Sequence, residues 1–101
     1  MDYQHAIEDK VSTFVINGQM TLTDLEKMRD IITLFQRSGS NKCVFDIGGV
    51  TFIDSSALGM LLLAREAALA QGIDISIRHM RNQVKRIMEV VRFDRLFVIE
   101  D

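Results

Sequence analysis

Three stretches of helical period alternate with short apolar runs along this chain, and no other feature constrains its fold as strongly. A strand followed by a helix and another strand returns by a crossover. Three such units favour a parallel core with right-handed connections and helices packed against it. The first helical stretch carries an apolar stripe of Leu25, Met28, Ile31, Ile32 and Phe35. Thr23 or Thr21 can cap it, and the polar cluster Ser38-Gly39-Ser40-Asn41 closes it. The second runs from about Ser55 to Gln71 and stops at Gly72. The third covers about Gln83 to Val91, with Val84, Ile87, Met88 and Val91 inward. Cys43 to Ile47 reads as a central strand broken by Gly48-Gly49, with Val50 to Ile53 a second extended piece. Ile73 to Ile77 and Phe97 to Ile99 supply two more strands. Ahead of the first helix, Tyr3 to Glu8 and Val11 to Ile16 flank Asp9-Lys10, a pair suited to a hairpin turn, and Gly18 to Thr21 reads as a loop. The order ββαβαβαβ predicts an α/β domain. Its sheet is mixed because the hairpin adds an antiparallel part, and the helices lie mainly on one face.

A chain of 101 residues accommodates one domain, residues 1–101, and buries roughly two-thirds of its unfolded surface without a disulfide or a metal. Apolar residues at 48% and charged residues at 26% are ordinary for a globular protein. Cys43, the only cysteine, lies in an apolar run and reads as a reduced, buried thiol of a cytoplasmic protein. The opening Met1-Asp2-Tyr3-Gln4-His5 lacks the basic start and apolar core of a secretory signal, and no apolar stretch approaches the ~18 residues of a membrane span. The expectation is a soluble protein that is monomeric when free and has no membrane partner.

The formal charge is −2, and it is unevenly spread. Residues 1–77 hold ten acids and six bases, whereas residues 78–95 hold six bases and two acids. The basic segment Arg78 to Arg86 invites a nucleic-acid reading, but aromatic residues are not interleaved with its cations and the rest of the chain is acidic. Lys85 and Arg86 therefore read as a solvated helix face, or as a basic patch that meets acidic residues of a partner protein.

The segment Val50-Thr51-Phe52-Ile53-Asp54-Ser55-Ser56-Ala57-Leu58-Gly59 joins a strand to a helix start. Asp54 is placed to cap that helix, and an Asp-Ser-Ser run in this position is also ordinary capping chemistry. At about 100° per residue, Leu58, Leu61, Leu62, Ala68 and Leu69 fall on an arc opposite Ser56, the natural core face. Ser55 then lies at the edge of the core, while Ser56 points to solvent where a kinase can reach it. Free N–H groups and the positive helix end favour a phosphate there, and the Asp54 carboxylate opposes it. Met60, Leu63 and Ala67 share the side of Ser56. They either touch a neighbouring helix or form an apolar docking patch.

The strand, the Asp54-Ser55-Ser56-Ala57-Leu58-Gly59 corner and the leucine-rich helix resemble the signature of the STAS domain (sulphate transporter and anti-sigma-factor antagonist). Free-standing members of that family are bacterial anti-sigma-factor antagonists. The resemblance extends to the Gly18-Gln19-Met20 turn, the Phe45-Asp46 strand end and the Val84 to Phe97 region. It implies that Ser56 is the phosphoacceptor and that Asp54 and Ser55 complete the motif. It further implies that Gly18, Met20, Thr21, Ala57, Gly59, Met60 and Leu63 belong to the partner-binding surface. The implied partners are an anti-sigma factor that is also a serine kinase of the Bergerat ATPase type, bound by the unmodified form, and a serine phosphatase that restores that form. Ala57 stands where many members have glycine. Met20 and Thr21 replace a leucine and an acidic residue of the family's loop. The alternative within the same resemblance is an accessory subunit of a membrane lipid transporter or another signalling complex, with Ser56 a contact residue only.

An enzyme is not expected. Only His5 and His79 are available as bases for a serine nucleophile, and no Gly-x-Ser-x-Gly turn is present. Asp46 and Asp54 each have a structural role at a strand end or a helix cap. No Cys/His spacing suits zinc and no phosphate loop occurs, so no metal or cofactor is expected.

Overall fold

The computed structural model describes residues 1–101. Strands β1 (Asp2–Glu8) and β2 (Val11–Met20) form an antiparallel hairpin. Its two-residue turn holds Asp9 and Lys10 both at positive φ, the geometry whose twist matches paired strands. A 3-10 turn at Leu22–Asp24 leads into α1 (Leu25–Arg37). Then follow β3 (Lys42–Ile53), α2 (Ser55–Ala70), β4 (Asp74–Arg78), α3 (Asn82–Val90), a second 3-10 turn at Phe93–Arg95 and β5 (Val98–Glu100). The sheet order is β1-β2-β3-β4-β5, and all pairs after the hairpin are parallel. The mixed α/β sheet is as the element order predicts.

Two expected breaks are not breaks. β3 runs unbroken through Gly48-Gly49, and β2 continues through Gly18 to Met20. The pair absorbs the glycines as register shifts between Val15 and Asn17 and between Gly18 and Gln19. The exposed side chain of Asn17 occupies the place where a Cβ on Gly49 would stand, so any larger residue there would have to turn that carboxamide aside.

Register places Ser12 beside Cys43, Phe14 beside Phe45, and Cys43 and Phe45 beside Ile75 and Ile77. These residues share one sheet face, and all but Ser12 join the core cluster with Met28, Ile31 and Phe35 of α1. Phe14 meets Phe45 and Phe35 edge to face, at centroid distances of 5.9 and 6.5 Å. α1 and α2 pack on each other over this face, and α3 packs on the far half of β3. The alternate row, including Val44, Asp46, Ser76 and Arg78, points to the opposite face. Val44 lies outside the core cluster although it is buried.

α2 is rotated by roughly a quarter turn from the face that its leucines indicate. Its buried residues are Ala57, Met60, Leu61, Ala64 and Ala68. Leu62 is 37% exposed and Leu69 57%, and Leu58 is half-buried. Ile87 of α3 is half-buried and Val91 exposed, while Val84 and Met88 are inside. The three buried alanines of α2 let its axis approach the sheet and α1 closely, while Leu58, Leu62 and Leu69 lie toward the rim.

Candidate functional site

The end of β3 is pinned before α2 begins. Ile53 is buried, and the Asp54 N–H donates to the carbonyl of Met20 at 3.2 Å, tying the corner to the end of β2. Asp54 has extended backbone and its Oδ1 accepts the Ala57 N–H at 2.8 Å. That bond closes the third position of the helix and leaves the N–H groups of Ser55 and Ser56 at the open end of α2. The helix enters with no acidic residue in its first turn.

The rotation of α2 reverses the expected exposure of the two serines. Ser55 is exposed, and Ser56 is half-buried on the flank it shares with Leu63 and Ala67. Three candidates for partner contact lie in the core cluster instead: Met20 at the end of β2 and Ala57 of α2 are fully buried, and Met60 of α2 is 2% exposed. Gly18, Thr21, Gly59 and Leu63 remain at the surface, Thr21 in part. Gly18 holds a φ of 92° in the β2 irregularity, and the space around Gly59 is open.

Two apolar side chains escaped the sequence reading. Leu22, in the turn that touches α2, is 62% exposed, and Phe52, two residues before Asp54, is 46% exposed. Phe52 was not legible from period: alternation puts it on the side of Val50, but the register shift that skips Thr51 leaves Thr51 and Phe52 both exposed between buried Val50 and Ile53. Leu22 had no signal either, because its position depends on the path of the chain from β2 into α1.

The other titratable candidates are engaged elsewhere. Asp46 accepts from the Gly48 N–H at 3.1 Å and from Arg78 at 3.3 Å, and its Oδ2 lies 3.0 Å from Nδ1 of His79. Burial pushes its pKa up, but these partners more than offset that and hold it below the usual carboxylate value. His5 lies 3.2 Å from the Ser12 hydroxyl and stacks on Phe14. Neither histidine has a hydrogen bond to Ser55 or Ser56. The structure groups no three His, Cys, Asp or Glu side chains in a way that would hold a metal ion. No helix is long and apolar enough to cross a membrane.

A capped strand-to-helix corner with paired hydroxyls, on a five-stranded mixed sheet, defines a small single-domain α/β fold. Residues 3–100 match the family model described as "Mlab, STAS domain", and the chain belongs to that family. A "STAS-domain containing protein" of Pseudomonas aeruginosa (strain UCBPP-PA14) is 41% identical over 56 residues. That stretch spans 55% of this chain and 55% of that protein, little more than half of either. An anti-sigma factor antagonist from Mycobacterium paratuberculosis has a similar structure, with TM-score 0.85 and 17% identity over 98% of this chain and 84% of that one. The Bacillus cell fate determinant SpoIIAA in its phosphorylated form gives TM-score 0.74 and 13% identity over 97% and 90%. A sulfate transporter family protein from Wolinella succinogenes gives 0.80 and 12% over 95% and 80%. At such identities these likenesses are likenesses of fold.

Proposed function

We propose that this chain is a partner-switching protein of the anti-sigma-factor-antagonist kind. Its unmodified form binds an anti-sigma factor that is also a serine kinase of the Bergerat ATPase type, relieving inhibition of a sigma factor. Phosphorylation of Ser56 ends the binding and a serine phosphatase restores it. The chain is then substrate and binder, and its partners supply catalysis. The observation that carries this reading is the Asp54-Ser55-Ser56 corner at the start of α2 in a STAS-family chain. Its support includes the fold likeness to SpoIIAA, whose structure is known in a phosphorylated form.

The family resemblance selects Ser56; exposure by itself favours Ser55, and the half-buried Ser56 hydroxyl must still be reached by a kinase. A phosphate on either serine adds about −2 charge and acceptor oxygens, and on Ser56 it also changes the surface that this serine shares with Leu63 and Ala67. The unbonded N–H groups of the first turn favour the dianion, and Asp54 opposes it. The exposed side chains of Leu22, Phe52 and Leu63 are the apolar contacts that such a charge would spoil.

Incubation with the cognate kinase and ATP, read by mass spectrometry, tests the proposal. Ser56→Ala removes the phosphate while keeping partner binding, Ser55→Ala leaves it in place, and Ser56→Asp weakens binding at least tenfold, about 1.4 kcal/mol. Phosphate on Ser55 alone, or on Ser56 with unchanged affinity, overturns it. A second reading is an accessory subunit of a membrane lipid transporter or of another signalling complex, with Ser56 as a contact only; the fold likeness to a sulfate transporter family protein is compatible with it and shows no more than a shared fold. In the transporter case affinity capture returns a transport ATPase and no kinase.

A further inference from the structure

β5 is shorter than the strand it borders. β4 runs over Asp74–Arg78, but β5 covers only its second half, from the Ser76–Val98 pair onward. Backbone bonds fix which groups face the uncovered half. The His79 N–H donates to the Glu100 carbonyl at 3.2 Å, and in a parallel ladder every second residue back, Ile77 and then Ile75, turns its N–H the same way. Asp74, by contrast, donates to the Asn41 carbonyl on the β3 side at 3.1 Å. A continued ladder would offer Ile75 the carbonyl of Leu96. That oxygen instead accepts from Nε of Arg65 at 2.7 Å, just after the 3-10 turn at Phe93–Arg95. Ile75 is 6% exposed, and its N–H has no acceptor within the protein. Buried donors of this kind are rare.

In front of that donor lies a cleft of about 560 Å³, a size that suits a small molecule. Ile73, Ile75 and Phe97 form its apolar floor, and Leu69 of α2, 57% exposed, forms one wall. Arg65 lines it with only its Nε engaged, and its terminal N–H groups meet no carboxylate. Two acids also border the cleft. Asp94 is drawn to Arg92 at 3.6 Å, and Asp74 alternates with Ile75 toward the opposite face of the sheet, in the row of Ser76 and Arg78.

We propose that this cleft, separate from the Ser56 corner, binds a small aliphatic monocarboxylate. Its carboxylate accepts the Ile75 N–H and the free N–H groups of Arg65, which converge because both residues are directed at the place of the Leu96 carbonyl. Its hydrocarbon chain lies on Ile73, Phe97 and Leu69. A head site made of donors selects an anion, since an N–H and a guanidinium offer no acceptor to an alcohol or an ammonium. An added strand from a partner is disfavoured, because β5 occupies the β4 edge from Ser76 onward and leaves a notch only one donor long.

The test titrates the isotope-labelled full chain with octanoate. Octanol and a capped apolar tripeptide ending in a free carboxylate serve as comparisons. Octanoate produces saturable shifts of the Ile75 amide, the Arg65 Nε–H and the Leu69 methyls, and octanol binds at least about tenfold more weakly. Arg65→Gln weakens octanoate binding at least about tenfold. Because Arg65 also holds Leu96, a second variant keeps the test clear of folding. Leu69→Glu, at an exposed position, sets a like charge beside the hydrocarbon chain and weakens binding by a similar factor while the fold persists. Ser56→Asp leaves the affinity unchanged, which separates this site from the proposed switch. Equal binding of octanol, unsaturable shifts spread over the surface, or an unmoved Ile75 amide overturns the proposal. So does tighter binding of the tripeptide, or a folded Leu69→Glu variant that binds octanoate as before.

Discussion

At Gly49 a Cβ would meet the end of the Asn17 carboxamide, an exposed side chain that can turn aside. Gly49→Ala is therefore expected to cost less than about 1 kcal/mol in urea unfolding, and a larger loss would show that Asn17 is held in place. Cys43 shows the opposite condition, a side chain sealed in. It is fully buried, and burial pushes its thiol pKa up to about 12. The native chain should resist alkylation by iodoacetamide near pH 8 and react fully in urea, which mass spectrometry reads directly.

α2 is where packing and function compete within one element. Leu61 is fully buried and Leu62 is 37% exposed, so Leu61→Ala should cost about 2–5 kcal/mol and Leu62→Ala less than about 1 kcal/mol. Chemical denaturation of the two variants checks the rotation of the helix, and equal losses would refute it. Gly59 lies on the outer side of the same helix, with open space around it. Gly59→Ala should stabilise the fold by about 0.5–1 kcal/mol through helix propensity alone. If a partner approaches this side closely, the same change weakens its binding, so melting temperature and affinity move in opposite directions.

For the molecule as a whole, one histidine and two carboxyls act in two separate pH windows. Burial holds the His5 pKa below its ordinary value of 6.5. The unfolded chain therefore takes up that proton first, and stability falls as pH drops below about 6.5, with no contribution above it. His5→Phe, which preserves the stacking on Phe14, should flatten the stability profile between pH 7.5 and about 5. Asp46 and Glu100 titrate on the other side. The hydrogen bond from Lys42 is the largest influence on Glu100, and burial of Asp46 is outweighed by Gly48, His79 and Arg78, so both carboxyls sit below their usual values. Their contribution is complete above the ordinary carboxylate pKa and is lost as pH falls through the folded values. Asp46→Asn should reduce the loss below about pH 4 and leave the His5 window unchanged. Urea midpoints measured across pH separate the two.

The sequence by itself determined the element order, the mixed sheet, the hairpin at Asp9-Lys10 and the capped corner at Asp54. Each is a local matter, set by period, turn chemistry or a side chain reaching its own backbone a few residues on. It did not determine which side of α2 faces the core. Leucine spacing pointed to the arc of Leu58, Leu62 and Leu69. The tertiary structure instead seats Ala57, Ala64 and Ala68, because the sheet and α1 press on the helix from two directions and only small side chains fit there. The same rotation decided that Ser55 is exposed and Ser56 half-buried, and that Met60 serves the core. The continuity of β3 through Gly48-Gly49 was equally beyond the sequence. A glycine pair reads as a break until β2 pairs alongside it at a shifted register, and that neighbour is brought there only by the fold.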